Sequence, residues 1–169
     1  MSEIIVIAHN IRSTHNIGSI FRTCEGFGVS KIIISGYSPY PKLPKDDRLP
    51  HLVEKLMVQI HKSALGAETM VPFEYMETVD IASLKKSGFM VVGLEQDKSS
   101  ILINKFKCPT KIALILGEEV HGLTKDIRES CDVLIEIPMH GKKESFNVSV
   151  ATGIALYSIT QNYQRPDED

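Results

Sequence analysis

The sequence predicts an α/β fold, a mostly parallel sheet with helices on both faces. Three observations carry this. Short apolar runs at Glu3–Ala8, Lys31–Ser35, Phe89–Leu94, Lys111–Leu116 and Val133–Ile137 suit strands buried on both faces. Other segments carry apolar residues at three- and four-residue steps, the helical period. The two patterns alternate, with no internal repeat, linker or low-complexity stretch between them. At 169 residues, the chain has the length of one domain with a sizeable core.

Taken in order, Glu3–Ala8 is the first strand, and the N-terminus lacks the basic segment of a signal peptide. His9–His15 is a polar loop. From Asn16 the pattern turns helical, with Ile17, Ile20, Phe21, Cys24 and Phe27 on one face and Gly26 and Gly28 as the stop. Asn16, Ser19, Arg22 or Thr23, and Gly26 fall opposite that face. Lys31–Ser35 is the second strand. Gly36–Pro50 holds Pro39, Pro41, Pro44 and Pro50, which excludes regular structure and predicts a surface loop. Its Tyr37 and Tyr40, beside Lys42, Lys45 and Arg48, are candidates for nucleic-acid contact by stacking and charge. The alternative is a proline-stiffened connector.

His51–Ala64 reads as a helix with Leu52, Leu56 and Ile60 on one stripe, and Val71–Tyr75 as a short strand. Thr78–Ser87 is a helix closed by Gly88; Phe89–Leu94 is a strand; Asp97–Pro109 is an irregular connection. Lys111–Leu116 is a fully buried strand. Thr124 is placed to cap a short helix ending at Ser130. Val133–Ile137 is the last strand, stopped by Pro138. A polar loop, His140–Glu144, leads to Ser145, placed to cap a helix striped by Val148, Ala151 or Thr152, Ala155 and Ile159. Arg165–Asp169 is a polar tail, expected to fray.

Composition removes several function classes. Hydrophobic residues at 43% and charged residues at 24% are ordinary for a globular protein, and no apolar run is long enough to span a bilayer. Cys24, Cys108 and Cys131 match no zinc or redox spacing, so reduced thiols in a cytoplasmic protein are expected. A net charge of −2 argues against a uniformly basic RNA-binding surface. The basic residues are nevertheless grouped, as at Lys42, Lys45 and Arg48, and local groups serve a phosphate backbone when the total is neutral. No G-x-G-x-x-G follows Ala8, which excludes a dinucleotide fingerprint. His121 and His140, near Glu118, Glu119 and Glu144, have no metal-ligand spacing, so no metal is expected.

Three stretches carry a family resemblance. Ile137–Ala151, I-P-M-x-G-x-x-x-S-x-N-V-S-V-A, resembles the third signature motif of the SpoU (TrmH-type) RNA ribose 2′-O-methyltransferases of the SPOUT superfamily. Asn10–Gly28 resembles motif 1, and Ile115–Leu123, I-L-G-E-E-V-H-G-L, resembles motif 2, in the family's order. The resemblance implies a SPOUT fold with a deep C-terminal trefoil knot, S-adenosyl-L-methionine as methyl donor, tRNA or rRNA as substrate, and a homodimer. It implies catalytic roles for Arg22, Asn16, Glu119, Ser145 and Asn147. It places the donor at the loops around Leu94, Leu116, Gly117, Ile137, Met139, Ser145 and Phe146. The apolar members would wall the adenine, and Gly117 would let backbone approach it.

The family's motif 1 arginine has been assigned as the base. A guanidinium stays protonated, so for Arg22 a grip on phosphate and an orienting role fit its chemistry more easily. Glu118, on the other side of an extended segment, ranks below Glu119. Many such enzymes carry an accessory RNA-binding domain; motif 1 starts at Asn10, so a single catalytic domain is expected here, with Arg12, Lys42, Lys45 and Arg48 as RNA contacts. Two rival readings are a SPOUT-fold protein binding RNA or cofactor without turnover, and a hydrolytic α/β enzyme using the Glu and His residues of motif 2.

Overall fold

The computed structural model describes residues 3–161. Within them the chain runs β1 (Glu3–His9), α1 (Thr14–Gly26), β2 (Lys31–Ser35), α2 (Pro50–Ala64), β3 (Phe73–Met76), α3 (Ile81–Lys86) and β4 (Met90–Leu94). It continues through β5 (Ile101–Leu102), β6 (Lys111–Leu116), α4 (Lys125–Ser130), β7 (Val133–Glu136) and α5 (Val148–Gln161). The strands form one sheet in the order β3-β2-β1-β6-β4-β7-β5, and each neighbouring pair is parallel. β1 and β6 lie side by side at its centre, with Ile4 opposite Ile112 and Ala8 opposite Leu116.

The alternation of side chains along a strand splits the apolar runs between two cores. Ile4, Val6 and Ala8 of β1, with Ile112, Leu114 and Leu116 of β6, face Ile17, Ile20 and Phe21 of α1, Ile60 of α2, and Ala155, Leu156 and Ile159 of α5. Ile5, Ile7, Ala113 and Ile115 face the other way, into a smaller core with Phe89, Leu123, and Ile81 and Leu84 of α3. Each fully buried Ile or Leu contributes about 1.5–3 kcal/mol, so these central strands dominate stability. α1 crosses α2 at Gly18, where a Cβ would stand 2.3 Å from the Ile60 carbonyl oxygen, so only glycine permits the approach.

Several expectations change. Asp97–Pro109 is not wholly irregular: β5 pairs with β7, and Ile103–Lys105 forms a 3₁₀ turn with Ile103 buried. Two paired residues leave no periodicity to read. α3 is shorter than Thr78–Ser87, because Asp80 accepts the Ser83 N–H (2.9 Å) and starts the helix there. Thr124 occupies the position before α4 without a side-chain capping bond. α5 begins at Val148, and Asn147, not Ser145, caps it: Asn147 Oδ1 accepts the Ser149 N–H at 2.9 Å. The tail Arg165–Asp169 lies outside the described residues. No helix among them is long and apolar enough to cross a membrane.

In a parallel sheet, every strand ends at the same edge. The loops after β1, β4, β6 and β7 therefore emerge together, and those after β1, β6 and β7 carry the three motifs.

Candidate functional site

The loop after β6 doubles back on itself. Gly117 packs so tightly that a Cβ would lie 2.5 Å from the Gly122 carbonyl carbon and 2.6 Å from the Leu123 nitrogen. The Gly122 N–H closes the turn on the Glu118 carbonyl oxygen (2.9 Å), and Gly122 holds a left-handed φ of 65°. Gly117 is thus required by its own loop. Glu95, after β4, ties two loops together by accepting the Leu123 N–H (2.6 Å) and the Gln96 N–H (3.0 Å). A single Glu following a strand carries no sequence signal, so Glu95 was illegible in advance.

The turn aims Glu119 at the start of α1. Its carboxylate accepts the Asn16 side-chain amide at 2.9 Å and the backbone N–H groups of Arg12 (3.1 Å) and Ser13 (3.3 Å). A carboxylate at a helix N-terminus meets both unpaired N–H groups and the positive end of the helix dipole. Burial would raise its pKa, but these hydrogen bonds outweigh burial and hold it below the usual range. On its other side, Asn16 Oδ1 accepts the Asn147 amide at 3.1 Å. The chain Glu119–Asn16–Asn147 therefore joins the loop after β6, the first turn of α1 and the cap of α5. Asn16 was expected on an open polar face; it is buried, because these two partners satisfy both ends of its amide.

Beside this chain lies a cavity of about 210 Å³. Of the residues expected to hold a donor, Leu94, Leu116, Gly117, Ile137, Ser145 and Phe146 line it; Met139 does not. Glu119 belongs both to the wall and to the polar chain. Glu95, Glu118 and Glu136 also line the wall. Glu118 is buried, and its Oε1 is held by the Arg12 guanidinium in an ion pair at 2.5 Å. Among the described residues, no cluster of three or more His, Cys, Asp or Glu gathers as a metal site.

Two expected groups are placed elsewhere. Arg22 is six residues beyond Asn16, about 9 Å along α1. It is exposed, is not part of the cavity wall, and forms no ion pair with Glu25 among the described residues. Arg48 has a job inside the protein. Its guanidinium pairs with Asp46 (2.6 Å), donates to the carbonyls of Tyr40 and Pro41 (both 3.0 Å), and lies 3.7 Å over the Tyr40 ring. The other side of Tyr40 stacks on Tyr75 with centroids 4.0 Å apart. Tyr40 therefore has no free face for a base; Lys42 and Lys45 remain exposed.

The chain matches the SpoU rRNA Methylase family over residues 3–157. It is similar to the 23S rRNA (guanosine-2'-O-)-methyltransferase RlmB of Coxiella burnetii, 32% identical over 165 residues, covering 96% of this chain and 60% of that protein. It is also similar to the tRNA (guanosine(18)-2'-O)-methyltransferase of Aquifex aeolicus, 30% identical over 175 residues, covering 97% of this chain and 74% of that protein. Among solved structures, the A. aeolicus TrmH/SpoU tRNA modifying enzyme superposes with a TM-score of 0.76 at 27% identity, over 96% of this chain and 76% of that one. The AdoMet-bound rRNA methyltransferase of Sinorhizobium meliloti shares the fold, with a TM-score of 0.80 at 22% identity, over 98% of this chain and 59% of that one. The chain spans about three fifths of the length of the rRNA methyltransferases it matches by sequence. With the three motif segments joined at one cavity and the match running through nearly all of the sheet, the chain belongs to the SpoU rRNA methylase family.

Proposed function

We propose that this protein transfers a methyl group from S-adenosyl-L-methionine to a ribose 2′-hydroxyl of tRNA or rRNA. The observation that supports this best is the Glu119–Asn16–Asn147 chain at the wall of an apolar-floored cavity. It holds the three motif segments in one geometry with hydrogen bonds that a mere packing contact would not need.

The cavity's chemistry fits the donor. Leu94, Leu116 and Ile137 offer apolar surface to an adenine, while Glu95, Glu118, Glu119 and Glu136 make the lining acidic. An acidic wall repels a dinucleotide or nucleoside triphosphate and suits a sulfonium with an ammonium group. When bound, S-adenosylmethionine supplies an electrophilic methyl group.

The remaining work falls to the chain's own groups. Glu119 and Asn16 fix the start of α1 against the cavity, and Asn147 fixes the start of α5. Ser145, on the wall and exposed, stands where a ribose hydroxyl would enter. Arg22, charged and open to solvent, grips a substrate phosphate and orients the attacking hydroxyl. Because Arg22 lies off its own cavity wall, a homodimer belongs to this reading. α5 leaves Val150 (49% exposed) and Tyr157 (59% exposed) on its outer side, an apolar face suited to a second copy. The trefoil knot and a cytoplasmic location are part of the same proposal.

The test is transfer of tritiated methyl from S-adenosylmethionine to total tRNA and rRNA, followed by alkaline hydrolysis. Label in alkali-resistant dinucleotides is expected, since a 2′-O-methyl group blocks cleavage. Cofactor binding by calorimetry without transfer to either RNA would favour binding without turnover. Absence of both would overturn the reading.

A further inference from the structure

Tyr37 is an aromatic side chain that the protein holds in place and leaves uncovered. The residue is 57% exposed. The backbone around it is fixed on each side. The Tyr75 hydroxyl donates to the Gly36 carbonyl (2.8 Å), and Tyr75 is itself stacked under Tyr40 and Arg48. The Tyr37 N–H is bound by Asn10 Oδ1 at 3.2 Å. Ser38 is buried, donates to the Ala8 carbonyl (3.0 Å) and accepts the Ile11 N–H (2.8 Å).

Asn10 adopts a left-handed φ of 56°, a conformation that Asn tolerates better than most residues. Its amide also contacts His9 Nε2 (3.1 Å), whose other ring nitrogen meets Ser35 Oγ at 2.8 Å. Three consecutive residues, 36 to 38, are thus anchored to β1, to the loop after it and to β3. An ordinary surface tyrosine needs no such scaffold.

Arg12 stands beside this ring. Its backbone is bound by Glu119 and its guanidinium pairs with Glu118 of the cavity wall, while its side chain stays 60% exposed. The neighbouring Tyr37 hydroxyl first, and Glu118 next, push the Arg12 pKa further above its ordinary value. A flat π-face and a cation tied to the cavity wall through Glu118 match one nucleotide: a base to stack and a phosphate to neutralise. A duplex presents no free base face, so the fit is to an unstacked residue in a loop or single strand.

We propose that Tyr37 and Arg12 form a nucleotide subsite next to the cavity wall, Tyr37 stacking on an unpaired base and Arg12 holding its phosphate. This rests on the methyltransferase reading and deepens it, by naming single-stranded or loop RNA as the form recognised. The experiment titrates a short single-stranded oligoribonucleotide containing 2-aminopurine into the full chain, following fluorescence quenching, with S-adenosylmethionine affinity measured separately by calorimetry.

Tyr37→Ala is expected to weaken the oligonucleotide roughly five- to hundredfold and abolish quenching. Tyr37→Phe keeps both, since the ring is what stacks. Arg12→Gln lowers the slope of log affinity against log salt by about one. Cofactor affinity and melting temperature stay at wild-type values in Tyr37→Ala. Wild-type binding and quenching in Tyr37→Ala would overturn the subsite while leaving the methyltransferase reading intact. A wild-type protein that binds cofactor but neither quenches nor binds the oligonucleotide would overturn the subsite too. Failure to bind cofactor as well would remove the reading beneath it.

Discussion

Two polar clusters sit at the ends of the strands, and they use their charges in opposite ways. In the proline-rich loop, Asp46, Arg48, Tyr40 and Tyr75 saturate one another: the guanidinium has a carboxylate, two carbonyls and a ring, and the ring has a partner on each face. Around Glu119 the hydrogen bonds are equally specific, yet the cluster opens on a cavity whose wall also carries Glu95, Glu118 and Glu136. The first cluster spends its polar groups on holding a loop. The second holds three segments and leaves carboxylates on the wall of a cavity. Charge and aromatic content alone therefore do not locate a binding surface; a hydrogen-bonded polar chain that lines a cavity does.

The contrast predicts a ranking of effects. Arg22→Ala should lower methyl transfer by about 10²–10⁴-fold while leaving S-adenosylmethionine affinity unchanged, as read by the tritium assay and calorimetry. Wild-type turnover would remove Arg22 from the mechanism. Gly117→Ala forces a Cβ into the Gly122–Leu123 backbone and should cost about 1–3 kcal/mol in denaturant titration, with weakened cofactor binding. Glu119→Ala strips the acceptor from Asn16 and two N–H groups. A loss of about 1.5–3 kcal/mol is expected, together with transfer activity.

Arg48→Ala should be milder, about 1 kcal/mol from the lost hydrogen bonds and ring contact, with cofactor affinity untouched. If Arg48→Ala abolished cofactor binding, the separation of the two clusters would fail. The smallest effect is in pH dependence. The Glu119 and Asp46 carboxyls are both held below their ordinary values, the latter by its bond to Arg48. A depressed carboxyl stabilises the fold above its unfolded pKa, about 4, and loses that contribution as pH falls through the folded value. Acid unfolding followed by circular dichroism should therefore begin below about pH 4 for these groups, and Arg48→Ala should shift the onset upward.

Much of the sheet was legible because apolar runs such as I-I-I at Ile32–Ile34 and I-A-L-I-L at Ile112–Leu116 need only local pattern to be read. β5 was not, since a two-residue strand exists through its partner β7 alone. At the site, motif order pointed to Asn16, Glu119 and Asn147, and the structure bonds them together. The choice between Ser145 and Asn147 as cap was beyond local reasoning: both are good capping residues, and where α5 starts decides which one acts. Tyr40 looked like a stacking group because its covers, Tyr75 and Arg48, come from positions the sequence does not mark as neighbours. Tyr37, three residues away, has the same composition-level signal and the opposite fate.

The central claim is that the loops after β4, β6 and β7, braced by Glu119, Asn16 and Asn147, form the methyl-donor pocket. A crystal structure with S-adenosylhomocysteine tests it most directly. The account predicts adenine against Leu94, Leu116 and Ile137, with the Glu119–Asn16–Asn147 bonds intact. Ligand bound elsewhere on the chain, or those three side chains parted in the complex, would contradict it.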